Sequence, residues 1–449
     1  MKYHNLIYFI LLILSPGLTI GCNSKTDEDN NIENSQSETS QGNEIVIYEI
    51  NPKLYATDNA FDAIAERLDE IQELGVNVLW LMPIYELGEE KAIGSPYCIK
   101  NYMKHNAEYG DMEALCSLID EAHSRGMRVI FDWIANHTSW DNVWMENPSW
   151  YTQDSSGNII SPEGMGWNDV ADLNFESEDM CDAMVEAMIY WVKQTGIDGY
   201  RCDFAEGVPY EFWSRAIAEL RALKGEELLM LAEGGDSDLF GCDFDILYGW
   251  DFAAKLKELF AGNITVAQLY DTHREETLNL SKGKVRLRYS TNHDMASEHS
   301  PLTSYGDERG AMAAFVIASM LDGVPLIYSS QEIGYSDRLT FFDYVIMDWD
   351  SNPDYYDEYV QLMSIYSATS HLRGGELYLY STDNVASFYR KGIDGGLFVV
   401  VNPTNESQLI KTPIERSGDS VRNLLDGSLL SLPSIMTLEA YQYCIFEVL

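Results

Sequence analysis

The chain has 449 residues, 46% hydrophobic and 22% charged, a balance that supports several packed cores and excludes global disorder. It carries 72 acidic against 29 basic residues, and the resulting formal charge of −43 repels phosphate backbones and excludes a nucleic-acid partner. A neutral or cationic substrate is expected.

Met1-Lys2 opens a weakly basic start, and Leu6 to Leu14 is an almost unbroken apolar run ending at Ser15-Pro16-Gly17. Such a run is too short to span a bilayer permanently but suits a secretory signal. It leads to Leu18-Thr19-Ile20-Gly21-Cys22, which resembles a bacterial lipobox with Cys22 as the lipidated residue. Residues 1–22 are therefore expected to be a lipoprotein signal peptide, and the protein an exported lipoprotein of the outer membrane, held there only through Cys22. Residues 23–43 are rich in Asn, Ser, Asp, Glu and Gln and have too few apolar side chains to fold, so they are expected to form a solvated acidic tether. Residues 1–44 carry a net charge of only −4, which leaves −39 on the folded part. The bland explanation is a soluble surface rather than a charged-ligand site.

From residue 45 short β-rich runs alternate with helix-period segments. Strands are expected at 45–50, 76–81, 127–131, 196–202, 228–232, 244–248, 285–289 and 325–328, with helices between them, including 61–74 and 112–125. Eight strand–helix units imply an α/β fold, a (β/α)8 TIM barrel over residues 44–372 with its site at the C-terminal ends of the strands. An open doubly wound sheet is the alternative, weakened by the lack of any Gly-rich phosphate loop. Residues 138–178 lack a clear period and form a short insertion after the third strand. Residues 373–449 return to short alternating strands, expected as a separate antiparallel β-sandwich domain. The cysteines after Cys22 show no CxxC pair and no zinc-like spacing, and sequence does not pair them.

Acids and histidines gather where the strands end. Arg201 and Asp203 are two apart on one strand and so point to the same side, where a guanidinium keeps a carboxylate ionised and aimed. Glu233 emerges from the apolar run Leu231-Ala232, where desolvation raises a carboxyl toward the range useful to a proton donor. Asn292-His293-Asp294 and Asp132 with Asn136-His137 close two further strands. A structural ion pair is the competing reading for any one of them, but four strands ending this way on one face argue for a catalytic site.

In order and spacing, Asp132…Asn136-His137, Gly199-Tyr200-Arg201-Cys202-Asp203, Glu233 and Asn292-His293-Asp294 resemble the sequence regions of the α-amylase family of glycoside hydrolases. Pro96-Tyr97, Ala171-Asp172-Leu173-Asn174 and Gly323 to Tyr328 extend the resemblance, which covers roughly residues 45–370. It implies a retaining hydrolase that cleaves internal α-1,4-glucosidic bonds of starch-type glucans or maltooligosaccharides; separately, a monomer is expected. Asp203 would be the nucleophile, Glu233 the acid/base and Asp294 the third acid, which grips sugar hydroxyls. His137, Arg201 and His293 match groups around the −1 sugar, and Tyr97 matches the aromatic that stacks on it. The resemblance also implies a Ca²⁺ site made by the side chains of Asn136 and Asp172 and the carbonyl of Gly207. Glu206 and Gly207 stand where the family often has a Lys-His pair on the leaving side, and Met295 stands where it often has Glu. Trp140, Trp144, Trp150 and Trp167 are either a sugar-stacking surface or packing within the insertion. Two other readings remain at this stage, an α-1,6-active or transglycosylating member of the family and a non-catalytic glucan-binding surface lipoprotein.

Overall fold

The computed structural model describes residues 44–381 and 384–449. The expected signal segment and tether, with Cys22, lie outside the described residues. Eight parallel strands close into a barrel, each next to its neighbour in sequence: β1 (Ile47–Ile50), β2 (Val78–Leu81), β3 (Arg128–Ile134), β4 (Gly199–Asp203), β5 (Leu229–Ala232), β6 (Ile246–Tyr248), β7 (Val285–Arg288) and β8 (Val324–Tyr328). This is the (β/α)8 architecture expected from the alternating pattern.

Alternation within the strands builds the interior. Ile47, Val78, Ile130, Leu231, Ile246, Leu287 and Leu326 fill the lumen as one apolar cluster. The next inward positions toward the C-terminal ends are polar: Glu49 on β1, Asp132 on β3, and Arg201 with Asp203 on β4. Register ties them together, because Asp132 pairs with Arg201 across β3 and β4. The apolar floor and the charged mouth are therefore the same stripe read along each strand. Gly199 is required where β4 begins, since a Cβ there would stand 1.8 Å from the Leu229 carbonyl oxygen.

The outer helices begin and end on ordinary local signals. Ser177 caps helix Glu178–Thr195 by accepting the Met180 N–H, and Gly196 closes it at φ 75°. The helix expected over 61–74 is instead two pieces, Ala60–Ala65 and Leu68–Glu73. Between them the Arg67 N–H bonds back to Ile64 rather than one residue further, and its guanidinium lies 4.6 Å over the Trp349 ring. Two excursions stand above the barrel. A hairpin of Tyr85–Leu87 with Ile99–His105 follows β2, and a ribbon of His137–Ser139 with Val170–Asp172 spans the insertion, placing His137 opposite Asp172.

After the barrel the chain forms β9 (Glu376–Ser381), β10 (Ala386–Lys391), β11 (Gly396–Val401), β12 (Gln408–Lys411), β13 (Ser420–Asn423), β14 (Leu429–Ser431), β15 (Ile435–Leu438) and β16 (Tyr443–Val448). Six of these make an antiparallel sheet in the order β9-β10-β11-β16-β13-β14, and β12 pairs with β15. Phe388, Val399 and Ile445 on one face join the core beneath the barrel helices. Phe398, Val400 and Phe446 on the other face pack with Ile410 and Leu438 of the two-stranded ribbon. Arg390 secures the junction by pairing with Asp322 at 3.0 Å. All six cysteines among the described residues are free, and Cys202 is a buried apolar filler of β4. No described helix is long and apolar enough to cross a membrane.

Candidate active site

Arg201 is the centre of the barrel mouth. Fully buried, it donates through Nη1 to Asp132 at 2.8 Å and to Asp203 at 3.0 Å, while Nη2 lies 2.9 Å from Glu233 Oε2. The Glu233 contact is close but poorly aligned for a hydrogen bond, so charge rather than direction holds it. One cation thus serves three carboxylates. Its guanidinium also lies over the rings of Trp80, Tyr97 and Tyr248, at 5.0, 5.8 and 5.7 Å from their centroids. These aromatic faces exclude water without adding a competing charge.

Burial raises all three acids, and Arg201 pulls each of them back down. Asp132 and Asp203 are pushed up to about 6, and Glu233 to about 7. The charges of Asp203 and Asp294 add to the rise at Glu233. Arg201 donates a direct hydrogen bond to Asp203 but meets Glu233 only by charge, so its hold on the Asp203 carboxylate is the firmer of the two. A pair of carboxyls in unlike surroundings is the arrangement a nucleophile and a proton donor require.

A second chain of contacts runs from β1. His293 donates through Nδ1 to Glu49, and its Nε2 meets the Tyr97 hydroxyl at 2.8 Å and Asp294 Oδ1 at 3.5 Å. Burial disfavours a charged imidazole, but the carboxylates of Asp294 and Glu49 outweigh it and raise His293 to about 9. With both ring nitrogens protonated, His293 donates to Tyr97, whose hydroxyl donates to Asp132 at 3.2 Å. The Trp80 indole N–H reaches the same Asp132 oxygen at 3.1 Å. Tyr97 stacks on His293 at 5.5 Å and 21°, and Phe341, from the segment after β8, stands edge-on to both. His137 is buried, pulled down by that burial to about 4, and lies beside Trp167 at 5.6 Å.

The residues singled out from sequence therefore fall in one place. Asp203 and Glu233 each contact Arg201, Asp294 and Tyr97 join through His293, and His137 stands at the insertion side. Sequence reasoning missed Glu49 and Phe341. A glutamate at an inward-facing position of Ile47-Tyr48-Glu49-Ile50 was the available signal for the first, whereas Phe341 sits in a segment with no period to read. Of the three oxygen donors proposed for a metal, Asn136 Oδ1 faces Gly207, lying 3.0 Å from where a Cβ on that residue would be. Asp172 sits across the ribbon from His137, and burial raises its carboxyl. These are hard oxygen donors of the type Ca²⁺ takes, though only one is a carboxylate. Among the described residues no group of three or more His, Cys, Asp or Glu is placed to hold a metal ion.

With this geometry in view, residues 34–158 match the family model for the α-amylase catalytic domain. Over that segment the chain is similar to the α-amylase family. It is 29% identical over 308 residues to the α-amylase MalA of Haloarcula japonica, covering 65% of this chain and 44% of that protein. It is 24% identical to α-amylase 2 of Dictyoglomus thermophilum, covering 82% and 67% of the two chains. Among solved structures, an α-amylase from Lactobacillus plantarum superposes with a TM-score of 0.82 at 26% identity, over 92% of this chain and 100% of that one. The chain thus spans less than half the length of MalA and about two thirds of the Dictyoglomus protein.

Proposed function

We propose that the protein is a retaining hydrolase of α-glucans that cleaves internal α-1,4 bonds of starch-type chains or maltooligosaccharides. The carrying observation is the pair Asp203 and Glu233, set on separate nitrogens of Arg201 in unlike surroundings. Flanking one guanidinium is compatible with the ~5–5.5 Å carboxyl separation of retaining enzymes. Ionised Asp203 attacks the anomeric carbon as the bond to the leaving oxygen breaks, and Glu233 gives its proton to that oxygen. Water then loses a proton to Glu233 and attacks the same carbon, releasing Asp203. Both contacts to the Glu233 carboxyl fall on Oε2, so Oε1 is left for the leaving oxygen among the described residues. Asp294, joined to charged His293, holds sugar hydroxyls, and Tyr97 supplies the flat apolar surface against the ring.

The decisive test is a product profile of the protein from residue 43 on starch, pullulan, dextran and maltoheptaose, with Glu233→Gln as control. A ladder of maltooligosaccharides that the control lacks supports the reading. Panose or isomaltose-type products would favour the α-1,6-active or transferring alternative. No reducing ends from any α-glucan would leave only a glucan-binding role, which intact Asp203, Glu233, Asp294 and Arg201 argue against.

We also propose that Asn136, Asp172 and the Gly207 carbonyl hold Ca²⁺, tying the insertion to the loop after β4, with water completing the shell. Chelation is then expected to lower the melting temperature by several degrees, and added Ca²⁺ but not Mg²⁺ to restore it; a melt indifferent to both would rule the site out. The protein is further proposed to act as a monomer anchored through lipid on Cys22. Cys22→Ala should move it from the membrane pellet to the soluble fraction, and an unchanged pellet would contradict the anchor.

A further inference from the structure

Phe204, the residue after Asp203, adopts φ 41° and ψ 49°, a left-handed conformation uncommon for an aromatic residue. Such backbone persists only where surrounding contacts over-determine it, and here three do. Its N–H donates to Glu233 Oε2 at 2.6 Å. Its ring lies across Gly207, where a Cβ would meet Cε1 at 2.1 Å, so the ring fills the space of any side chain at 207. Its edge meets Trp167 of the insertion at 5.3 Å and 81°. Trp167 in turn reaches His137, and both Trp167 and Phe204 keep part of their surface exposed.

Glu206 faces elsewhere. Its carboxylate accepts the backbone N–H groups of Gly235 at 2.7 Å and Asp236 at 2.9 Å, bracing the loop that follows Glu233. The two positions where the family often has Lys-His thus offer the leaving side neither a cation nor an imidazole: one is turned into a loop and the other has no side chain. Two aromatic rings stand there instead, one bonded through its own backbone to the acid/base.

We propose that Phe204 and Trp167 form an apolar platform that binds the glucosyl unit on the leaving side by stacking, so that productive binding there depends on ring contact rather than charge. This rests on the reading of the site as an α-glucan hydrolase. The test compares maltoheptaose, which places sugars on both sides of the cleaved bond, with α-maltosyl fluoride, which has no leaving-side sugar. Trp167→Ala is expected to lower kcat/KM on maltoheptaose ~10-fold more than on the fluoride, and Trp167→Phe to recover most of that difference. Phe204→Leu, which keeps apolar volume, gives a second arm with the same sign should Trp167→Ala fail to fold. Equal losses on both substrates, or no loss on maltoheptaose, would overturn the platform. Wild-type protein inactive on both substrates would instead overturn the hydrolase reading itself.

Discussion

Glu233→Gln is expected to lower kcat on maltoheptaose by ~10²–10⁴-fold, the range attributed to a positioned general acid–base. The loss on α-maltosyl fluoride should be much smaller in the first step, because fluoride departs without a proton. The glycosyl-enzyme then accumulates, since no base activates water, and turnover shows a burst followed by a stall. With Glu233→Ala, azide has room to attack that intermediate. One inversion at Asp203 followed by a second by azide gives an α-glycosyl azide, the configuration of the substrate. A β-azide, or equal losses on both substrates, would remove Glu233 from the acid/base role. The pH profile follows from the same pair. Asp203 must be ionised, which sets the acid limb near its value of about 6, and Glu233 must hold its proton, which sets the alkaline limb near about 7. Wild-type kcat/KM should therefore be a narrow bell between them, and Glu233→Gln should lose the alkaline limb.

The barrel was legible because parallel strands buried on both faces appear as short apolar runs, and each is followed by a helix of clear period. Acids at the ends of such runs were legible for the same reason: Glu233 after Leu231-Ala232 has no local use there. Glu49 obeys the same rule but lies within its strand, so it looked like an ordinary alternating position until β1 was placed against β2 and β8. Its meaning depends on His293, 244 residues away in sequence. The strands β12, β13, β14 and β15 were not expected because they are three or four residues long, with residues such as Lys411, Arg422 and Ser431 facing water. Their pairing is set by tertiary contact rather than by local pattern. The aromatic rim was legible only as alternatives. Trp167 was one of four insertion tryptophans, and only the fold separates it from Trp144, which packs against Tyr102 and Trp150.

Arg201→Met is expected to be the most damaging single change in the mouth, because it removes the one cation shared by Asp132, Asp203 and Glu233. Breaking a buried pair by deleting one partner typically costs ~3–5 kcal/mol, and here three carboxyls lose their partner together. The pH dependence distinguishes this from simple loss of packing. Burial already raises all three acids and Arg201 is the main influence lowering them, so without it their values rise further. A carboxyl raised in the folded state keeps its proton where the unfolded chain, at ~4, has released it. Stability is then lost as pH rises from the unfolded value through the folded one. The drop in melting temperature of Arg201→Met should therefore be larger at pH 8 than at pH 5, and activity should be lost at both because Asp203 no longer ionises. Arg201→Lys retains charge but not the two-nitrogen fork, so it should recover more stability than activity. A deficit independent of pH would mean that Arg201 serves the mouth through its shape and not its charge, and the unlike surroundings of Asp203 and Glu233 would need another source.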